Sequence, residues 1–390
     1  MKFVLFANTD WYLYNFRLST ALALAAQGHE VTMLSPAGDY GPRFARHGLR
    51  WLTLPMDRAS LNPWREAMTL RALVRTLRQE RPALLHSFTV KCAVYGALAA
   101  RAAGVPAHVS AIAGMGYVYA SDRAKARMLR PVVATLMRGA LAGKSSRVIL
   151  QNPDDAETLV RARLVPAQRI RVIRGSGVDT SRFSPRNLAA EIHDALPAVR
   201  PLRVVLAARL LWEKGIAEFV EAAGMLKREG RAIECVLAGT PDPGNPRSVP
   251  QVQVEAWARQ GLVTWLGHVD DMPALLRSAD VMALPSYYRE GVPRSLLEGA
   301  ASGLALVTTD LPGCREIVRE HGFDGLHVPP RDAAALARCL ALLDDDRDLL
   351  RRLGAQARAN SLAHFDERIV IRRTIEVYEE LLPRSMQAAA

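Results

Sequence analysis

Short apolar runs alternate with longer stretches of helical period through both halves of the chain. In the first half, the runs at residues 3–7, 30–35, 84–88, 107–112 and 147–151 predict buried strands. Between them, residues 18–27, closed by Gly28, and 70–80, closed by Arg81-Pro82, predict helices. A fresh series of strands opens at 203–208 and continues at 233–238, 263–266, 281–284, 305–309 and 326–328. Alternating strand and helix predicts parallel sheets joined by right-handed crossovers, and two such series predict an α/β chain of two Rossmann-like domains. The length of 390 residues agrees, because it exceeds what one ordinary core accommodates. The polar, proline-containing stretch from Phe183 to Pro201 reads as linker and hinge, giving domains at 1–185 and 186–365. Residues 366–382 return to helical period, and this tail is expected to cross back, so that about 366–390 belongs with the first domain. Ligands of doubly wound sheets bind beyond the carboxyl ends of the strands. Two such domains set face to face would offer one substrate from each side of a shared cleft.

Composition narrows the class. A hydrophobic share of 49% with 23% charged residues is that of a globular, soluble protein. The four cysteines, Cys92, Cys235, Cys314 and Cys339, lie far apart without a CxxC pair, which disfavours zinc and disulfides and suits a reducing cytoplasm. The apolar run at 3–7 is too short for a signal-peptide core, and no stretch approaches the roughly 18 apolar residues of a membrane span.

Charge adds a partner. Residues 1–185 hold 26 Lys and Arg against 11 Asp and Glu, a net +15, while the remainder holds 25 against 28, a net −3. Between Arg81 and Pro153 there are ten basic residues and a single acid, Asp122. A base-composition bias towards arginine explains abundant arginine but not missing acids. An anionic partner explains both: lipid head groups, nucleic acid or a phosphorylated substrate. No zinc-finger, RNP-like or heptad motif accompanies the charge, so nucleic acid is disfavoured. Ser121-Asp122 could cap a helix from Arg123 to Met137, perturbed by Pro131. Leu129, Val132, Val133, Leu136, Met137 and Ala140 recur in it at helical spacing among Arg123, Lys125, Arg127, Arg130 and Arg138. Such a helix either lies on an anionic leaflet or turns its apolar face to a domain core. The first reading makes the chain peripheral on the cytoplasmic face of the inner membrane.

Three segments carry candidate chemistry. The stretch from Phe6 to Arg17 follows the first strand, where a dinucleotide fingerprint would lie, yet it contains no glycine, so NAD is disfavoured. Its aromatic side chains either wall an acceptor or cover the sheet end. Arg209 and Lys214 stand where the first strand of the second domain gives way to a helix; two cations there can neutralise a diphosphate without metal, or be solvated surface charges. The strongest segment is Pro285 to Ala300. A strand ends at Leu284, and Pro293 is placed to open a helix whose free N–H groups point back to Gly291 and Val292. Glu298, expected on the sheet-facing side of that helix, needs hydrogen-bond donors, and two ribose hydroxyls would serve. Glu290 at the mouth would meet the sugar end of the same ligand. The alternative is a capping acid and a helix-surface glutamate.

Glu290…Glu298, with Ala-Ala-Arg209…Lys214-Gly, resembles family 4 of the retaining GT-B glycosyltransferases. Further matches are Gly177-Val178-Asp179…Phe183, Gly267-His268-Val269…Leu275…Ala279-Asp280 and Leu311-Pro312-Gly313-Cys314-Arg315-Glu316. In the first domain, Trp11 to Arg17 and Gly114-Met115-Gly116-Tyr117 resemble a branch that builds lipid-linked bacterial polysaccharides and protein-linked glycans, including N-acetylgalactosaminyltransferases. The resemblance implies that Arg209 and Lys214 hold the donor diphosphate, Glu298 the ribose, and Glu290 the transferring sugar. Gly291 and Val292 would offer backbone amides, and the base would lie near Gly239 and Gly267-His268-Val269. Gly114, Gly116, Tyr117 and a first loop bearing Tyr14, Asn15 and Arg17 would face the acceptor. His86 would line the cleft or serve as a strand-end structural histidine. The family's first loop commonly contains glycines, and this chain's does not.

The implied reaction moves a sugar, best an N-acetylhexosamine, from a UDP-sugar to a polyprenyl-diphosphate-linked saccharide with retention, without metal or cofactor. Asp344-Asp345-Asp346 reads as a helix-capping turn rather than a metal site. Two rivals use the same features: a nucleotide-sugar 2-epimerase, and a non-catalytic nucleotide- or nucleic-acid-binding protein.

Overall fold

The structure, a computed structural model, describes residues 1–57, 60, 62–114, 124–141, 143–186 and 200–382, with only the backbone at 124–130 and 132. It divides into two compact units: Met1–Ser176 together with the segment from Arg368 onward, and Gly177–Glu367. Among the described residues, no helix is long and apolar enough to cross a membrane.

Seven parallel strands form the sheet of the first unit, in the order β3-β2-β1-β4-β5-β6-β7. They are β1 (Lys2–Phe6), β2 (Glu30–Ser35), β3 (Arg50–Thr53), β4 (Leu84–Phe88), β5 (Ala107–Ile112), β6 (Ser146–Leu150) and β7 (Ile170–Val172). β3 and β7 are both edges and were not anticipated; at four and three residues, half exposed, they carry no apolar run. Helices α1 (Asp10–Ala26), α2 (Pro63–Glu80), α3 (Val90–Ala103), α4 (Ala124–Leu141) and α5 (Pro153–Arg161) join the strands.

Two of these helices begin earlier than expected. The Thr9 side chain accepts the Tyr12 N–H at 3.1 Å and caps α1, so Trp11 to Arg17 are helical rather than a loop. Asn62 caps α2, followed by proline at the first helical position. In α4, Met137, Ala140 and Leu141 are buried against Ala93, Val148 and Leu159, which makes its described half a core-packed helix. Ser121, Asp122 and Arg123 lie outside the described residues, as do the side chains of Lys125, Arg127, Leu129, Arg130 and Val132.

The second sheet has six parallel strands in the order β10-β9-β8-β11-β12-β13. These are β8 (Leu202–Ala207), β9 (Ile233–Ala238), β10 (Thr264–Gly267), β11 (Val281–Leu284), β12 (Ala305–Thr309) and β13 (Leu326–Val328). Helices α6 (Ile216–Arg228), α7 (Gln251–Arg259), α8 (Met272–Arg277), α9 (Arg294–Ala301), α10 (Ala333–Asp345) and α11 (Arg347–His364) cover it. Between α10 and α11 the Asp346 side chain accepts the Leu349 N–H at 2.8 Å, so the aspartate run is a cap. The four thiols are free.

The passages between units lie side by side. Val178 N–H donates to the Phe365 carbonyl at 2.9 Å, and Glu367 N–H returns to the Val178 carbonyl at 3.0 Å. Phe183, where a linker was expected to begin, is instead buried in the second unit's core with Val178 and Phe365. Residues 187–199 of that stretch lie outside the described residues. After this return, α12 (Glu367–Glu379) places Val370, Val377 and Tyr378 in the first unit's core beside Phe3, Leu5 and Phe88. The tail thus crosses back.

Candidate active site

The strand order of the second unit fixes where a ligand can enter. From β8 the chain proceeds outward through β9 and β10, then jumps to β11 on β8's other side. The connections after β8 and β11 therefore run towards opposite edges of the sheet, which makes the carboxyl ends of these two strands the switch point at which doubly wound sheets bind ligands. Arg209 and Lys214 belong to one loop, and Glu290, Gly291 and Val292 to the other.

Glycines let these loops stack on their neighbours. Gly215 has φ +77°, and a Cβ there would lie 2.3 Å from the Pro285 carbonyl oxygen. Gly313, in the loop after β12, has φ +88°, and its Cβ would fall 1.4 Å from the Gly291 carbonyl oxygen. No side chain fits either contact. Further bonds lock the arrangement: Tyr287 N–H to the Glu213 carbonyl at 3.0 Å, and Thr309 Oγ1 to the Ser286 carbonyl at 2.6 Å.

Within this frame the Lys214 ammonium lies 2.5 Å from Glu290 Oε1. Glu290 is only 8% exposed. The Ser286 hydroxyl stands 2.9 Å from the same oxygen and 3.0 Å from the Glu213 carbonyl, its single proton serving one of them. Cys314 is buried nearby; burial, aided by the Glu290 charge, pushes its thiol up to about 12. Arg209 is more open, its side chain 58% exposed, and Nη1 meets Asp242 Oδ2 at 2.8 Å. Both cations thus already face a carboxylate, an arrangement an incoming diphosphate could take over.

The other residues expected on the donor side occupy the neighbouring strand ends. Gly239, after β9, has φ +137° and a Cβ position 1.9 Å from the Ala208 carbonyl oxygen; its N–H donates to Gly267, at the end of β10, at 2.7 Å. The two glycines are thus brought together. His268 is exposed, with Nε2 3.3 Å from Asp270, and Val269 packs against the core. Glu298, expected to need hydrogen-bond donors, has one on its own helix. It lies between the buried and open faces of α9, and Arg294, one turn earlier, donates Nε–H to its Oε1 at 2.8 Å. The carboxylate therefore has a partner of its own. Pro293 is the cap of α9 rather than its first residue.

The first sheet has its own switch point, between β1 and β4. Thr89, just past β4, has φ 76° and ψ 157°, a conformation costly for a β-branched residue. Arg17 and His86 both line a small cavity of about 10 Å³, which Ala111, Gln151 and Gly175 also line. The Tyr378 hydroxyl lies 2.6 Å from His86 Nδ1. Burial, then the Arg17 charge, holds this imidazole well below its ordinary pKa. Tyr14 does not join them: its ring packs against Tyr40, Phe44 and His47. Asn15 bonds the Trp11 carbonyl through Nδ2 at 2.9 Å. Gly114 has φ +76°, directly after the cavity-lining residues 111–113. Gly116 and Tyr117 lie outside the described residues.

Several partners escaped the sequence. Arg294, four residues before Glu298, was legible as a helical ion pair. Asp242, Arg247 (paired with Glu213 at 2.9 Å) and Tyr378 leave no local signal, because the fold brings them from distant segments.

Known proteins place this geometry. Residues 190–360 match the model of the glycosyl transferases group 1, and residues 16–175 that of the glycosyl transferase 4-like domain. The chain is 30% identical over 375 residues to the N,N'-diacetylbacillosaminyl-diphospho-undecaprenol alpha-1,3-N-acetylgalactosaminyltransferase of Campylobacter jejuni, covering 95% of this chain and 96% of that one. It is 26% identical over 288 residues to an Escherichia coli UDP-Gal:alpha-D-GlcNAc-diphosphoundecaprenol alpha-1,3-galactosyltransferase, covering 73% and 72%. In fold it is similar to Anabaena HepE, solved in complex with UDP, at a TM-score of 0.78 and 19% identity over 98% of this chain and 100% of that one. These relatives are transferases, and the epimerase reading draws no support from them. Both halves are accounted for, and the chain belongs to family 4 of the glycosyltransferases, with the GT-B fold of two Rossmann-like domains.

Proposed function

We propose that the chain transfers an N-acetylhexosamine from a UDP-sugar to a polyprenyl-diphosphate-linked saccharide, with retention and without metal, in the synthesis of a bacterial surface polysaccharide or glycan. The observation that carries it is the meeting of Lys214 and Glu290 at the β8–β11 switch point, with Arg209 on the same β8 loop as Lys214. Relatives whose names specify diphospho-undecaprenol acceptors support the acceptor class.

Arg209 and Lys214 bind the donor diphosphate and stabilise the charge that develops on it as the C1–O bond breaks. Two cations supply the neutralisation that a divalent ion supplies elsewhere, so no metal or other cofactor is required. Gly291 and Val292 present backbone N–H groups to phosphate and sugar, and Glu290 takes a sugar hydroxyl. Glu298 binds the ribose with one oxygen while Arg294 holds the other. Gly239 and Gly267-His268-Val269 flank the base. The acceptor oxygen attacks C1 on the face the leaving group vacates, and its proton passes to the departing phosphate oxygen. UDP leaves with the bonding pair. An α-configured donor then gives an α product, the linkage named for both relatives.

The first unit binds the acceptor through Arg17 and His86, with Gly114, Gly116, Tyr117, Tyr14 and Asn15 as further acceptor contacts. Its net charge of +15 over residues 1–185 suits a peripheral position on the anionic cytoplasmic face of the inner membrane.

The test is transfer from UDP-N-acetylhexosamines to a polyprenyl-diphosphate-linked saccharide, with the product's anomeric proton read by NMR. An α-linked addition is expected. A β-linked product would overturn retention, and conversion of donor alone would overturn transfer.

A further inference from the structure

The first unit buries a positive charge that no carboxylate among the described residues neutralises. Arg17, on the second turn of α1, is 5% exposed. Its Nη2 donates to the Tyr12 hydroxyl at 3.1 Å, and its guanidinium lies 4.5 Å from the centre of the Phe88 ring. Among the described residues no carboxylate pairs with it, and Nε has no hydrogen-bond partner. The acid on the same helix, Asp10, is committed: its oxygens accept the N–H groups of Trp11, Tyr40 and Gly41, each at 2.8 Å. Other arginines of this unit do find an acid, as Arg147 and Arg171 both find Glu380.

A second orphan faces the same space. His86 is 1% exposed, Tyr378 holds its Nδ1, and Nε2 has no partner. Both side chains line the cavity at the carboxyl end of the first sheet. When the Tyr378 hydroxyl donates to Nδ1, the ring carries its proton on Nε2, and the two side chains that line the cavity then carry two unpartnered N–H donors and a full positive charge. Donors without acceptors in a water-poor site destabilise the empty protein, and an anion satisfies both. The cavity has room for about one water-sized atom, enough for a single oxyanion oxygen.

We infer that Arg17 and His86 form a binding site for a phosphate-class oxyanion, and that the group it takes is the diphosphate of the acceptor. The second clause rests on the acceptor class proposed above; the first does not.

Calorimetric titration with inorganic pyrophosphate tests it, with UDP present to fill the second unit, on the wild type, Arg209→Gln and Arg17→Met. A separate titration with UDP alone reports whether the donor reading holds, independently of the first unit. Expected is a pyrophosphate site that survives Arg209→Gln and weakens about tenfold or more in Arg17→Met, as loss of a charged hydrogen-bond donor requires. The Tm of Arg17→Met should equal or exceed the wild type's, because the change removes an unpaired buried charge. Undiminished pyrophosphate binding by Arg17→Met overturns the site. So does its loss in Arg209→Gln. Histidine-ring NMR of the wild type, with His86→Gln for assignment, reads the site without relying on the arginine variant: the His86 signal must shift on adding pyrophosphate. A stationary signal overturns the inference. Farnesyl diphosphate binding more tightly than pyrophosphate supports the lipid-linked source. Equal affinities keep the anion site and overturn that assignment.

Discussion

Lys214 and Glu290, 76 residues apart in sequence, meet at 2.5 Å and join the loops that follow β8 and β11 at the switch point. Both side chains are largely shielded from water, at 17% and 10% exposure, so each depends on the other for neutralisation. Lys214→Met should cost about 2 kcal/mol by stranding the Glu290 carboxylate, and adding Glu290→Gln should recover part of that loss. Urea denaturation of both single variants and the double closes the cycle; additive losses would mean the pair is not coupled.

Arg209 stands apart in being open to solvent, with Asp242 as its partner. Arg209→Ala should leave Tm unchanged and lower kcat about 100-fold or more, the range seen when one donor to a developing negative charge is removed. Near-normal turnover in a folded variant would sink its assigned role.

The contact of Gly313 with the Gly291 carbonyl leaves no space for a methyl group. Gly313→Ala must push the β11 loop out of place and adopt a left-handed φ, so stability should fall by about 1–3 kcal/mol and donor affinity with it. UDP titration with a parallel thermal melt checks both. Unchanged UDP affinity would show that the loop's position is not set by this contact.

Two buried histidines make the first unit sensitive to acid. Burial pushes His108 down to about 3 and holds His86 well below its ordinary value. Each is neutral when folded and takes up a proton when unfolded, so their contribution is complete above about pH 6.5 and erodes as pH falls towards the folded values. Each should remove about 1.4 kcal/mol per pH unit within that window. Comparing urea melts at pH 7 and pH 5 for wild type and His108→Gln isolates one of them; equal losses in the two proteins would refute the assignment.

Transfer should persist in excess EDTA, with initial rates within about twofold of the untreated enzyme, if cations alone stabilise the leaving group. Abolition by EDTA with recovery on adding Mg²⁺ would contradict the metal-free scheme.

The central strands were legible because strands buried on both faces read as uninterrupted apolar runs. β3 and β7 were not, since an edge strand of three or four half-exposed residues carries no such run. The start of α1 was hidden for another reason: Trp11 to Arg17 are mostly aromatic or polar without a clear apolar stripe, and only Thr9 marked the cap. At the site, the motif residues announced themselves through spacing. The shielding of Glu298 was legible from neighbouring Leu296, Leu297 and Ala300, while its partner lies in the four-residue step back to Arg294. Asp242 and Tyr378 acquire their roles only through folding across many residues.

The return of α12 also imposes an order on biosynthesis. The first unit's core includes Val370, Val377 and Tyr378, side chains made only after the whole second unit has been synthesised. Until then, Phe3, Leu5 and Phe88 lack part of their cover, and His86 lacks the hydroxyl that holds it. The second unit, continuous in sequence, is free to finish first. The unit translated earliest is thus the last to be completed.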